Sequence, residues 1–282
     1  MPKPVLTERD ISPNDYEAFK QFLESSCGVL LGENKQYLVI NRLQRVSRDF
    51  NIENFSDLVK DVSSGRNSKL RLAVIDAMTT HETFWFRDSH PYEHLKTLLK
   101  DLSQQKNGTG EIRIWSAACS TGQEPYSISI VVDELKEANA IGNTRVQVVA
   151  TDVSDHVIAQ ARSGIYPSLA VNRGLTADVR ARYFDRTDEG DWQIKPHLKK
   201  GVDFRSLNLM GSFELLGRFD IIFIRNVLIY FSQDLKADIL NRAHRMLAPV
   251  GYLFLGASES MQARNPHFRM ERYNPGIVYR KI

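Results

Sequence analysis

Two mainly apolar runs in this chain end in residues equipped to hold a ligand. Residues 146–151 close on the carboxylate of Asp152, and residues 219–224 lead into Arg225, Asn226 and Tyr230. A carboxylate accepts hydrogen bonds from sugar hydroxyls, an asparagine amide both donates and accepts, and a guanidinium pairs with carboxylates. If both runs are buried parallel strands, these groups gather at their carboxyl ends, where open α/β sheets bind ligands at the point of strand-order reversal. Four apolar residues in a row also suit any core strand, and an asparagine after a strand is often only a turn former.

A third segment shifts that balance. Residues 115–127, WSAACSTGQEPYS, follow the alternation of Ile112 and Ile114. Ala117, Ala118, Ser120 and Gly122 let a backbone approach a ligand closely, and Pro125 suits the first turn of a helix running through Ile128, Val131 and Leu135. The loop lacks G-x-G-x-x-G, no Walker lysine follows its glycine, and Asp152 lies 30 residues beyond Gly122 where a dinucleotide site has about 20. A dinucleotide or phosphate ligand is therefore disfavoured. A nucleoside without a pyrophosphate needs less glycine, because no doubly charged group presses on the loop backbone, and S-adenosylmethionine is such a ligand.

These residues need a sheet to position them. Strands are expected at 112–116, 146–151, 202–204, 219–224, 251–256 and in a terminal pair ending at 277–281, alternating with helices. Ser154 is placed to cap a helix over 155–162, and Leu235, Ile239, Ala243 and Leu247 mark another, capped at Ser232 and stopped before Pro249. Alternation of this kind predicts a parallel sheet with helices on both faces. Between Tyr183 and Phe204 the pattern breaks around the turn Asp188-Glu189-Gly190, which predicts a small antiparallel insertion.

The first 75 residues carry no strand signal. Ser12 and Pro13 open a helix with Tyr16, Phe19, Phe22 and Leu23 on one face, ended at Gly28, and Tyr37, Ile40, Leu43, Val46 and Phe50 repeat the helical period. Shorter helical stretches follow at 55–62 and 70–78. The expected organisation is a helical domain over 1–75, a linker and connecting helix over 76–110, with the linker near 70–80, and a second domain over 111–282 with the insertion at about 183–204. Arg42, Arg45 and Arg48 recur every third position along the second helix, a pattern that usually marks a solvated face.

Composition sets limits. With 282 residues, 42% of them hydrophobic and 25% charged, the chain reads as an ordinary globular protein. It has no apolar run of transmembrane length, and its start, MPKPVLTERD, has no hydrophobic signal region, so a cytoplasmic location is expected. Cys27 and Cys119 have no spacing suited to zinc and are expected as reduced thiols. A net charge of +3 gives little support to a nucleic-acid role.

Taken in order, TTHETFWFRD (79–88), WSAACSTGQEPYS, ATDVSDHVIAQARSGIY and FIRNVLIYF resemble the chemotaxis receptor methyltransferases of the CheR family, over nearly the whole chain. The resemblance implies an N-terminal helical domain followed by a Rossmann-like class I methyltransferase domain with a small antiparallel β insertion. It implies transfer of a methyl group from S-adenosylmethionine to glutamate side chains on the cytoplasmic signalling domain of chemoreceptors, leaving S-adenosylhomocysteine, with no metal. It also implies a monomer that inserts in no membrane. Residue by residue, cofactor contacts fall on Thr83, Arg87, Glu124, Asp152, Asn208, Leu209, Asn226 and Val227. His81 joins them although the family often has Asn there, and it receives no catalytic part. Arg87 and Tyr230 are expected beside the transferring methyl.

The resemblance also makes the ridge of Arg42, Arg45 and Arg48 a docking surface for an acidic receptor coiled coil. The insertion resembles the subdomain with which some members grip a receptor's C-terminal peptide. Its turn is about three residues shorter, so tether-independent action is expected. The chemistry asks for no general base, since a glutamate of reference pKa about 4.3 is already ionised at neutral pH. Two rival readings share these features. Amino-group nucleic-acid methyltransferases commonly carry Pro-Pro and an aromatic after the residue that Asn226 matches, where this chain has Val227-Leu228. A non-catalytic module sensing S-adenosylmethionine would bind but not transfer.

Overall fold

The computed structural model describes residues 6, 7, 11–261 and 266–282. Most of the opening segment read above for export signals lies outside the described residues. The chain divides into two compact units, one of residues up to Thr80 with Tyr230–Lys236, the other of His81–Ile229 with Ala237–Ile282.

Among the described residues the first unit holds four helices, α1 (Pro13–Cys27), α2 (Gln36–Phe50), α3 (Phe55–Ser64) and α4 (Ser68–Met78). Side-chain caps start three of them. Ser12 Oγ accepts from the Asp15 amide at 3.1 Å, Asn54 Oδ1 from Asp57 at 2.9 Å and Asn67 Oδ1 from Leu70 at 3.0 Å, each satisfying a donor that a helix start leaves open. Phe19, Leu23, Leu43, Phe55, Leu58 and Val74 are buried between them. Helix α4 corrects the expected linker: residues 68–78 form a continuous helix packed on α2 and α3, and the unit extends to Thr80 rather than 75. Segment Tyr230–Lys236 joins this unit through the Leu30 amide, which donates to the Tyr230 carbonyl at 2.8 Å, and through Phe231 and Leu235, which lie against Gly28.

The second unit runs in chain order α5 (His90–Gln105), β1 (Glu111–Ala117), α6 (Gln123–Glu137), β2 (Arg145–Asp152), α7 (Asp155–Ser163), β3 (Ile165–Tyr166), α8 (Ser168–Asn172), α9 (Ala177–Tyr183), β4 (Phe184–Arg186), β5 (Trp192–Ile194) and α10 (Pro196–Lys199). It continues through β6 (Val202–Ser206), β7 (Phe219–Ile224), α11 (Gln233–Met246, begun in the first unit), β8 (Leu247–Leu255), β9 (Phe268–Arg272) and β10 (Ile277–Lys281). Among the described residues seven strands form one sheet in the order β6-β2-β1-β7-β8-β10-β9, parallel except that β10 runs antiparallel to both neighbours. This is the mixed α/β sheet of the expected class. Apolar strand faces pack under helices on both sides; Leu95, Leu99, Ile128 and Phe223 are fully buried in one core cluster.

The insertion is larger than expected at its start and smaller at its end. Strand β3 pairs with β5, giving the order β3-β5-β4, and β6 belongs to the main sheet. A two-residue strand is too short to show alternation, which is why β3 escapes a pattern reading. The turn at Asp188-Glu189-Gly190 is present, closed by the Thr187 amide donating to the Asp191 carbonyl at 3.0 Å.

Candidate active site

From β1 the chain proceeds outward to β2 and β6, then returns to β7 on the other side of β1, so strand order reverses between β1 and β7. The strand ends there are level. Ala117 lies beside Thr151 on one flank and Ile224 on the other, Asp152 beside Ser206, and Ile224 beside Leu255. The loop after β1, Asp152, Asn208, Arg225 with Asn226, and Gly256 therefore emerge along one edge, which is the binding edge of an open α/β sheet.

The backbone along that edge is strained. Ala118 (φ 55°), Ser120 (φ 50°) and Asn226 (φ 58°) are left-handed without being glycine, as are Phe86, Asp88 and Ser89 (φ 49°, 67° and 47°) in the segment preceding α5. Such conformations cost about 1–3 kcal/mol each and concentrate where function requires them. Gly122 (φ 94°) has no alternative, because a Cβ there would stand 2.9 Å from the Ala161 Cβ and 3.1 Å from the Tyr166 hydroxyl.

Buried side chains hold these loops in place. Asp152 Oδ2 accepts from the Ser120 amide at 2.8 Å and Oδ1 from the Ser154 amide at 3.1 Å. The Val153 amide also bears on this carboxylate; of its roughly four acceptor sites, capacity remains for a ribose hydroxyl. Burial pushes the Asp152 carboxyl above its ordinary value; the Ser154 and Ser120 amides and the charge of His81 pull the other way without cancelling it. The Ser120 hydroxyl donates to the His81 carbonyl at 2.8 Å, and the Leu207 amide donates to the Asp152 carbonyl at 2.8 Å. Four expected contact segments, at His81, Ser120, Asp152 and Asn208, are thus joined by hydrogen bonds.

A second group centres on Arg225, whose side chain is 2% exposed. Nη1 donates to Glu124 Oε2 at 2.8 Å, and Nη2 to Asp88 Oδ2 at 2.7 Å and the Arg87 carbonyl at 2.9 Å. Glu124 Oε1 accepts from Ser116 Oγ at 2.9 Å. Burial works against the charge on Arg225, but Glu124, with smaller contributions from Tyr92 and Asp88, outweighs it and the net shift is upward. Glu124 is therefore compensated within the protein, leaving Asp152 as the carboxylate better placed for ribose. Arg87 Nη1 donates to the Glu82 carbonyl at 3.0 Å, and its guanidinium faces the Phe84 ring at 5.4 Å.

The remaining expected residues lie as follows. Asn208 is partly buried, with Oδ1 accepting from the Met210 amide at 3.0 Å; Leu209 is buried; Thr83 and Val227 are partly buried. Tyr230 belongs to the first unit. So do the ridge arginines, which divide. Arg42 is committed to the end of α4, donating to the Met78 carbonyl at 2.6 Å, the Thr79 carbonyl at 3.0 Å and Thr80 Oγ1 at 3.0 Å. Arg45 and Arg48 are exposed, Arg45 with Asp49 at 3.5 Å. Among the described residues no group of three or more metal-ligating side chains is assembled, and Cys27 and Cys119 are unpaired and buried.

Sequence reasoning missed Asp88, Ser116, the buried role of Arg225, and Glu259. The carboxylate of Glu259 accepts from the Asn226, Val227, Ile229 and Gly256 amides. The available signal was an acid shortly after an apolar strand, in YLFLGASES, the same pattern that singled out Asp152.

Comparison with known proteins gives concordant results. Residues 81–277 match the family model of the CheR methyltransferase SAM binding domain, and residues 14–79 match that of the CheR methyltransferase all-alpha domain. Chemotaxis protein methyltransferase 1 of Pseudomonas aeruginosa is 48% identical over 94% of this chain and 97% of its own length. Its namesake from Vibrio cholerae is 46% identical over 98% and 99%, and the chemotaxis protein methyltransferase of Escherichia coli 35% identical over 94% and 91%.

Proposed function

Because this chain belongs to the CheR methyltransferase family, we propose that it transfers a methyl group from S-adenosylmethionine to glutamate side chains of chemoreceptors, forming methyl esters and S-adenosylhomocysteine. The observation that carries this reading is the convergence of Asp152, the Arg225–Glu124 pair and the Asn226 loop on the edge where strand order reverses. Asp152 accepts from the ribose hydroxyls, Asn208 bonds the adenine edge, and Asn226 and Val227 border the methionine moiety. His81, Thr83 and Leu209 complete the contact surface.

The sulfonium supplies an activated methyl, and the ionised glutamate is already a nucleophile. What the protein contributes is alignment for in-line displacement, for which positioning supplies about 7–11 kcal/mol, and exclusion of water. Arg87 orients a carboxylate through a charge-assisted hydrogen bond, and Tyr230 guides the attacking oxygen. Neither acts as a base. The partner is the cytoplasmic signalling domain of a chemoreceptor, met by Arg45 and Arg48 and without a receptor tether, which places the reaction in the cytoplasm. Arg42, occupied at the end of α4, takes a supporting part in that surface.

Labelled methyl transfer into membranes carrying candidate receptors tests the proposal. Incorporation that depends on receptor and stops with Asp152→Ala is expected. Tight S-adenosylmethionine binding with no transfer to any receptor would replace it with the sensor reading.

A further inference from the structure

Glu259 lies outside every motif that pointed to the site, four residues past the end of β8. Its Oε2 accepts from the Asn226 amide at 2.7 Å and the Gly256 amide at 2.8 Å, and its Oε1 from Val227 at 2.9 Å and Ile229 at 3.3 Å. Three of these amides belong to the short loop that leaves β7. For them to aim at a single carboxylate the loop must curl, and it does so at Asn226, held in the left-handed region at φ 58°. Hydrogen bonds to an ionised acceptor are the stronger kind, and four on one carboxylate are enough to hold a conformation that the residue would not choose alone.

The opposite side of the clamp is as closely fitted. A Cβ on Gly256 would stand 2.7 Å from both Asn226 Nδ2 and Glu259 Oε2, and 2.8 Å from the Asn226 amide. The Asn226 side-chain nitrogen therefore lies close over Gly256, next to the carboxylate that fixes the Asn226 backbone.

We propose that Glu259 is a positioning residue of the methyl-transfer site: by binding the loop amides it aims the Asn226 side chain and the Val227 backbone at the cofactor. This rests on the reading of Asn226 and Val227 as cofactor contacts. A purely structural brace would lower stability and leave the cofactor affinity of the folded protein unchanged.

The experiment uses the full chain and S-adenosylhomocysteine, with affinity measured by calorimetry at a temperature where melting curves show each protein folded. Glu259→Gln keeps the size of the side chain but replaces one accepting oxygen with an NH2 group that faces amide donors; Gly256→Ala crowds the clamp while leaving the carboxylate. Both should weaken binding at least tenfold, as should Asn226→Ala. Because Glu259 acts largely through Asn226, adding Glu259→Gln to Asn226→Ala should produce much less than a further tenfold loss, which independent effects would give.

Wild-type affinity in folded Glu259→Gln, with Asn226→Ala weakened, would overturn the positioning role and leave the cofactor reading standing. Wild-type affinity in Asn226→Ala would instead remove the reading on which the proposal rests. If Glu259→Gln does not fold, Gly256→Ala decides between the same two outcomes.

Discussion

Asp152 meets two demands that respond oppositely to pH. In the proposed cofactor site ribose hydroxyls donate to it, so binding there would need the ionised form; affinity would be full above its folded pKa and lost as pH falls through it. Because burial raises that pKa above the ordinary 3.8, the loss should begin at a higher pH than for an exposed aspartate. Folding runs the other way. A carboxyl that holds its proton more tightly when folded opposes folding when ionised, so its contribution to stability improves as pH falls. Comparing wild type with Asp152→Asn by calorimetry and thermal melts should show the acid limb of affinity vanish in the variant, along with the stability gain. An unchanged acid limb would take the ribose role from this residue. At the same scale, Tyr230→Phe should lower kcat with little change in cofactor affinity, whereas Arg87→Ala should lower kcat and also weaken the cofactor. Single-turnover rates on intact receptor decide it, and an unchanged rate in a folded Tyr230→Phe protein would remove Tyr230 from the mechanism.

Among the elements, β7 ends in a buried electrostatic network, since Arg225 after it joins Asp88 before α5 to Glu124 at the start of α6. Replacing it with Met would leave two carboxylates without their shared cation, a change that costs about 3–5 kcal/mol when a buried pair is broken. A large fall in melting temperature is expected, and a melt within a degree or two of wild type would show that solvent already compensates them. Strand β7 itself was legible to the residue, because the short apolar run 221–224 leads straight into polar groups, as a buried strand of an open sheet does. The ion network was not. Its partners lie 137 and 101 residues away, and an arginine after a strand looks the same in sequence whether buried or solvated. Helix α2 shows the converse limit: spacing placed three arginines on one side, but only the structure shows Arg42 spent on the end of α4. Reversing Arg45 and Arg48 to Glu should therefore raise the KM for receptor and leave S-adenosylhomocysteine affinity alone, while Arg42→Ala should mainly lower stability. Equal receptor kinetics in the double reversal would return those residues to a solvated face.

For the whole molecule, a helical unit and a sheet-bearing unit divide at Thr80 and His81, where the two family models also meet. Hydrophobic period announced both units, and the motif order announced the family. The compact unit ends at Thr80 where the reading placed 75, because the short apolar pattern at 70–78 reads equally as a helix or a connector. The reading of the second unit as a glutamate methyltransferase makes a chemical claim more specific than methyl transfer: the bond formed is a carboxylate ester. Methyl-labelled S-adenosylmethionine, a receptor cytoplasmic domain and the purified chain test it directly. The account predicts label on receptor glutamates that mild alkali releases as methanol. Label that survives alkali on nitrogen, or that appears on side chains other than glutamate, would contradict it.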